Sequence, residues 1–104
     1  MRTAHHPEID NVELSEVLHA LSDPVRLEIV RCLAQNGECC CGELEVSVSK
    51  STLSHHLRVL RQAGLTITRA DGTHRMVSLR RSEVEGRFPR LLEAVLVESR
   101  VSPA

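Results

Sequence analysis

The sequence predicts a mainly α fold carrying one small β-hairpin, an α+β domain with elements in the order α-α-α-α-β-β-α. Three observations lead there. Apolar residues recur at helical spacing through most of the chain, the period switches to strict alternation just after Gly64, and an Asp71-Gly72 turn signal divides the alternating stretch in two. At 104 residues the chain is one domain with a single core. Its hydrophobic content of 41% and charged content of 26% are ordinary for a globular protein.

The organising stretch is Ser47 to Gly64, SVSKSTLSHHLRVLRQAG. Ser49 is placed to cap a helix and Gly64 to stop it. Leu53, Leu57 and Leu60, widened by Val59 and Ala63, make one apolar side. Lys50, Ser51, Ser54, His55, Arg58 and Arg61 make the other, and no acidic residue occurs between Ser47 and Ala70. An acid-free face of short hydroxyls and cations suits phosphates and base edges.

The remaining elements follow in chain order. Residues 1–8 read as a flexible arm. Ile9, Val12, Val17, Leu18 and Leu21 suit a first helix from Ile9 to about Ala20. Asp23-Pro24 restarts the chain, with Asp23 as cap and Pro24 in the first turn of a second helix. That helix buries Leu27, Ile29, Val30 and Leu33 and ends near Asn36-Gly37. Gly42 to Val46 reads as a short third helix, a tight turn at Ser47-Val48 follows, and the Ser49-capped helix is the fourth. A short helix, a brief turn and a longer polar-faced helix make a helix-turn-helix, whose second member can enter a major groove.

Leu65 to Arg69 and His74 to Leu79 alternate on either side of Asp71-Gly72, which gives a two-stranded wing with Arg69, His74 and Arg75 near its tip. Val84, Phe88, Leu91, Leu92, Val95 and Leu96 form the stripe of a last helix. Pro89 is tolerable in a first turn, so regular helix is expected from about Arg87 or Phe88. The winged helix-turn-helix domain then spans residues 9–98, with a tail at 99–104.

Charge is distributed unevenly. The chain carries a formal net charge of −1, yet residues 48–81 hold seven Lys/Arg against the single acid Asp71, a local +6 on a remainder of −7. That is the footprint of a polyanion-binding face. Phe88 is the sole Phe, Trp or Tyr, so base stacking on aromatic rings is unavailable and double-stranded rather than single-stranded nucleic acid is the expected ligand. No nucleophile elbow, P-loop, dinucleotide fingerprint or H-E-x-x-H run occurs, and Ser54-His55-His56 is a helical adjacency, so no enzyme is expected. The N-terminus lacks a signal peptide's apolar region and no run approaches a membrane span, which points to a cytoplasmic protein with no membrane partner.

The runs LSDPVRLEIVRCL, SKSTLSHHLRVLRQAGL and TRADGTHRMVSL together resemble the ArsR/SmtB family of winged-helix repressors over nearly the whole chain. The resemblance implies a homodimer built from the first and last helices, here through Val17, Leu18, Leu91, Leu92 and Val95. It implies a two-fold operator in double-stranded DNA, released when an effector, often a metal ion or arsenite, is bound. It places DNA contacts on Lys50, Ser51, Thr52, Ser54, His55 and Arg58, with Arg69, His74 and Arg75 on the wing. Lys50, Ser51 and Thr52, in the first turn, are suited to reading bases. Arg58, Arg61 and the wing arginines are suited to holding the backbone. His55 is expected to face the groove and His56 to pack inside, because helical neighbours point about 100° apart.

The cysteines bear on the effector. Cys32 falls in the apolar pattern of the second helix and reads as core. Cys39, Cys40 and Cys41 lie just before the DNA-reading unit; clustered thiolates select soft ions such as arsenite, cadmium, zinc or copper(I), and adjacent thiols can also act as a redox switch. Arsenite- and cadmium-responsive members carry Cys-x-Cys in a C-V-C-[DE]-L run, and this chain is two residues short between that run and Ser54, so only Cys40 matches in either alignment. The family's zinc site on the last helix is not expected, since no His occurs from Ser82 to Ala104. His5 and His6 could join the cysteines in a mixed site reaching from the arm of a partner.

Overall fold

The structure is a computed structural model that describes residues 5–44 and 46–100, without the side chains of residues 43 and 97–100. After a single 3-10 turn at Ile9–Asn11 come α1 (Leu14–Leu21), α2 (Pro24–Asn36), β1 (Cys39–Cys40), a 3-10 turn at Cys41–Glu43, α3 (Lys50–Gln62), β2 (Thr66–Asp71), β3 (His74–Leu79), α4 (Arg81–Arg87) and α5 (Leu91–Arg100). The mainly α winged helix-turn-helix fold is the one expected, with three local differences.

First, the opening helix is shorter. Val12 takes an extended conformation (φ −83°, ψ 130°) that separates the 3-10 turn from α1. Its side chain is thereby driven into the core, and α1 starts afresh behind a reciprocal pair in which Glu13 and Glu16 each accept from the other's backbone N–H.

Second, Gly42 to Val46 forms no α-helix among its described residues. Cys39 and Cys40 instead pair antiparallel with Val77 and Met76, adding a third strand to the wing in the order β1-β3-β2, and only one 3-10 turn follows. Five residues containing a glycine form too few helical hydrogen bonds to offset nucleation, while the free edge of β3 offers the backbone ready partners. Leu44 still anchors the segment in the core.

Third, the last helix is broken. The pyrrolidine of Pro89 forces Phe88 out of the α region (φ −129°, ψ 79°), so α4 ends there. Arg90 turns the chain at φ 70°, its N–H held by Glu85 Oε2 at 3.1 Å, and α5 begins only at Leu91. Pro89 therefore lies in a link rather than in a first helical turn.

The predicted caps hold. Asp23 accepts from the N–H groups of Val25 and Arg26, and Ser49 Oγ accepts from Thr52 N. Gly64 ends α3 at φ 81°, and a Cβ there would stand 2.8 Å from Val12 Cγ2. α2 lies centrally, with Ile29 and Val30 fully buried against α1, α3, α5 and β3. Its packing fixes the pitch of α3. Arg80 N donates to Leu65 O at 2.9 Å, closing the hairpin beside the end of α3, so helix and wing share one wall.

Candidate nucleic-acid interface

α3 presents the expected division. His56, Leu57 and Leu60 are buried, whereas Lys50, Ser51, Thr52, Ser54, His55 and Arg58 are all exposed. Thr52 Oγ1 accepts from Ser49 Oγ at 3.0 Å, so its hydroxyl supports the helix start as well as facing outward. His56 packs inside as expected, its Nδ1 3.1 Å from Arg26 Nη1. Lys50 and Arg58 make no hydrogen bond or ion pair among the described residues, which leaves both cations available.

Between α3 and the wing lies a cleft of about 640 Å³. Lys50, Arg58, Arg61 and Arg75 line it, and no acidic side chain does so among the described residues. Leu53 and Leu57 supply its apolar floor, with Cys41 and Gly42 at one end. Four cations around a water-accessible trough give the positive potential that +6 over residues 48–81 implied.

Two of the predicted contacts are already engaged. Arg69, on the wing, forms a bidentate pair with Glu38 at 2.5 and 2.6 Å, and the guanidinium holds that carboxyl below its usual range. Arg61 Nε donates to His5 O at 3.1 Å. Sequence reasoning missed Glu38 because its partner is 31 residues away and becomes a neighbour only through the unforeseen β1.

The arm is not free from His5 on. His6 Nε2 accepts from Thr68 N at 2.9 Å and Pro7 O accepts from Arg80 Nη1 at 2.8 Å. Burial, then Arg61 and Arg80, push the His6 imidazole below its ordinary value. Residues 1–4 and 101–104, which the expected arm and tail include, lie outside the described residues, and α5 runs to Arg100.

Cys39 and Cys40 on β1, and Cys41 in the 3-10 turn that follows, are each half-buried, and Cys41 lines the cleft. Successive strand residues point to opposite faces, which separates the Cys39 and Cys40 thiols. The Cys39 thiol donates to Gly37 O at 3.7 Å, and Cys40 Sγ lies 3.7 Å from His74 Nδ1. Burial, then Cys40, push the Cys41 thiol up, with Arg75 opposing. Among the described residues no three His, Cys, Asp or Glu side chains converge closely enough to hold an ion, so the donor set does not form a ready three-sulfur centre, and His6 is committed to Thr68. Cys32 is half-buried against the core.

The residues expected at a dimer contact divide. Val17 and Leu92 are 1% and 0% exposed within one chain, so they are packed in its own core and offer no free surface there. Apolar spacing alone does not separate the inner from the outer edge of either helix. Leu91 and Val95 are half-buried, whereas Leu18 is 49% exposed, and Leu14, one turn earlier on α1 and not foreseen, is 45% exposed. No helix among the described residues is long and apolar enough to cross a membrane.

This geometry agrees with what is known of similar chains. Residues 23–67, from the α2 cap to β2, match the model of a family described as "Bacterial regulatory protein, arsR family". An HTH-type transcriptional regulator of Bacillus subtilis, YceK, is 40% identical over 84 residues, covering 78% of this chain and 84% of that protein. An arsenical resistance operon repressor of Staphylococcus xylosus is 44% identical over 68 residues, 64% of this chain and 65% of that one. The crystal structure of the transcriptional repressor BigR from Xylella fastidiosa superposes with a TM-score of 0.67 at 30% identity, over 86% of this chain and 88% of that one. With the fold, the exposed cationic helix and these relatives in agreement, the chain belongs to the ArsR family of bacterial regulatory proteins, which are DNA-binding transcriptional regulators and not enzymes.

Proposed function

We propose that this protein is a homodimeric, cytoplasmic transcriptional repressor that holds an inverted-repeat operator in double-stranded DNA and lets go when a thiol-directed effector reaches Cys39, Cys40 and Cys41. The observation that carries the DNA reading is the exposed, acid-free face of α3 from Lys50 to Arg58, continuous across the cleft with Arg75. Two such helices about 34 Å apart would enter successive major grooves. Leu14 and Leu18, large apolar residues one turn apart and bare on α1, support pairing through that helix together with Leu91 and Val95 of α5.

The effector class, a soft metal ion or arsenite, is supported by three consecutive thiols, the last of which lines the cleft beside the DNA-facing helix, and by a relative named for arsenical resistance. It rests on that chemistry and position, not on a preformed centre. A redox switch is the second reading, favoured by the approach of Cys40 Sγ to His74 Nδ1.

Fluorescence anisotropy of labelled inverted-repeat and scrambled duplexes tests both parts. The expected result is selective binding that weakens with salt, release by one of arsenite, cadmium, zinc, copper(I) or peroxide, and loss of that release when the three cysteines are replaced by serine. Equal affinity for all duplexes overturns the repressor reading, and release unaffected by the triple replacement overturns the sensor. Sedimentation of Leu18→Glu should give monomers; a persistent dimer overturns the α1 contact.

A further inference from the structure

The cleft between α3 and the wing holds more than a DNA backbone uses. Phosphates need cations, and Lys50, Arg58, Arg61 and Arg75 supply them at the rim. Phosphates on that rim make no use of Leu53 and Leu57, whose apolar surface a thymine methyl or the body of an apolar ligand can cover. The volume, about 640 Å³, falls within the range of small-molecule sites, which pair an apolar floor with a few converging polar groups.

We infer that this cleft binds a small amphipathic anion, a carboxylate or sulfonate on an aromatic or branched aliphatic body, and that occupancy excludes the operator because both ligands draw on the same cations. The body would lie on Leu53 and Leu57 while the anionic group meets Arg75 and Arg58 from opposite walls. The Arg75 side chain is exposed and makes no hydrogen bond or ion pair among the described residues, so it can turn toward a ligand at little cost. Release by this route is direct competition and needs no movement of α3. The exclusion rests on the DNA reading above; the site itself does not.

The test uses naphthalene sulfonate as probe, with inorganic phosphate and naphthol as single-feature controls, on the full chain. Direct calorimetric titration without DNA should show saturable binding of the sulfonate and much weaker binding of either control. Arg75→Gln and, separately, Leu53→Ser should each weaken the sulfonate about tenfold, as expected for losing one charged contact or one buried apolar contact. Arg81→Gln, outside the cleft, should not. Circular dichroism on each variant confirms that the fold persists, and Arg75→Gln, on the exposed wing, carries the decision if Leu53→Ser does not fold. In a second arm the sulfonate should displace bound duplex while naphthol does not. Equal binding of phosphate and sulfonate, or indifference to Arg75→Gln, overturns the site. Saturable binding that leaves the duplex in place overturns the exclusion alone, and a chain that binds no duplex overturns the DNA reading while the direct titration still decides the site.

Discussion

Arg26 Nη1 lies 3.1 Å from His56 Nδ1, which ties α2 to the buried side of α3. The same guanidinium donates through Nε to Ala20 O at 2.6 Å, and through Nη2 to His19 O at 3.4 Å, so one side chain satisfies carbonyls at the end of α1 and also positions the helix that faces DNA. A guanidinium has only donors, so Nδ1 must present its lone pair. Arg26→Met fills a similar volume but strands Ala20 O and His56 Nδ1, while His19 O keeps the N–H and hydroxyl of Ser22, and should cost about 3 kcal/mol of stability in urea unfolding. His56→Gln keeps an acceptor in reach and should cost about 1 kcal/mol. Equal stability of Arg26→Met and the parent would show that the bridge does not hold α3.

The pair between Glu38 and Arg69 makes a different prediction. Both side chains are substantially exposed, so the pair adds little to folding, and its main effect is to occupy a cation that would otherwise face phosphate. Glu38→Gln should therefore tighten DNA binding by about threefold to tenfold and steepen the dependence of log K on log salt by up to about 0.9, the contribution of one phosphate contact. Anisotropy titrations at several salt concentrations read both quantities. Unchanged affinity and slope would mean that Arg69 stays off the DNA even when released.

Arg58 and the first turn of α3 should differ in kind. Arg58 lies two turns into the helix on the cleft rim, where a backbone phosphate comes within reach, while Lys50 and Ser51 sit at the exposed helix start. Arg58→Ala should weaken every duplex alike and lower the salt slope by about 0.9. Lys50→Ala and Ser51→Ala should change which bases are preferred, with about 1–3 kcal/mol lost at the affected position. Binding measured on a set of singly substituted operators separates the two patterns; identical profiles for both kinds of variant would abolish the distinction.

What the sequence made legible follows from local rules. Asp23-Pro24, Ser49 and Gly64 act on neighbours within four residues, and the Asp71-Gly72 signal placed the hairpin to within a residue, the loop itself being Gly72-Thr73 between the paired Asp71 and His74. The acid-free face of α3 was legible for the same reason, since a helix sorts its own residues by angle. The misses involve partners distant in sequence. Cys39 and Cys40 stand out as thiols but carry no strand signal until β3 offers an edge 36 or more residues away, and β1 then brings Glu38 to Arg69 and Cys40 to His74. Val17 and Leu92 looked like interface because periodicity finds an apolar stripe without saying how much of it the chain's own core consumes.

Docking of the arm depends on pH through His6. His6 Nε2 accepts from Thr68 N, and this requires a neutral ring nitrogen. Burial, aided by Arg61 and Arg80, lowers the folded pKa, whereas an undocked arm takes up a proton at the ordinary histidine value of about 6.5. A group whose folded pKa is depressed in this way, and which must be neutral to bind, favours docking above the undocked value and opposes it as pH falls through that value. Between about pH 7.5 and 5.5 the Thr68 amide should lose protection from hydrogen exchange, and its NMR shift should follow a single titration. In His6→Ala that amide should exchange rapidly throughout and show no titration. Release also frees Arg61 from His5 O, which returns one more cation to the cleft. A Thr68 amide that stays protected across this window would show that the arm is held by Arg61 and Arg80 alone and that His6 does not gate it.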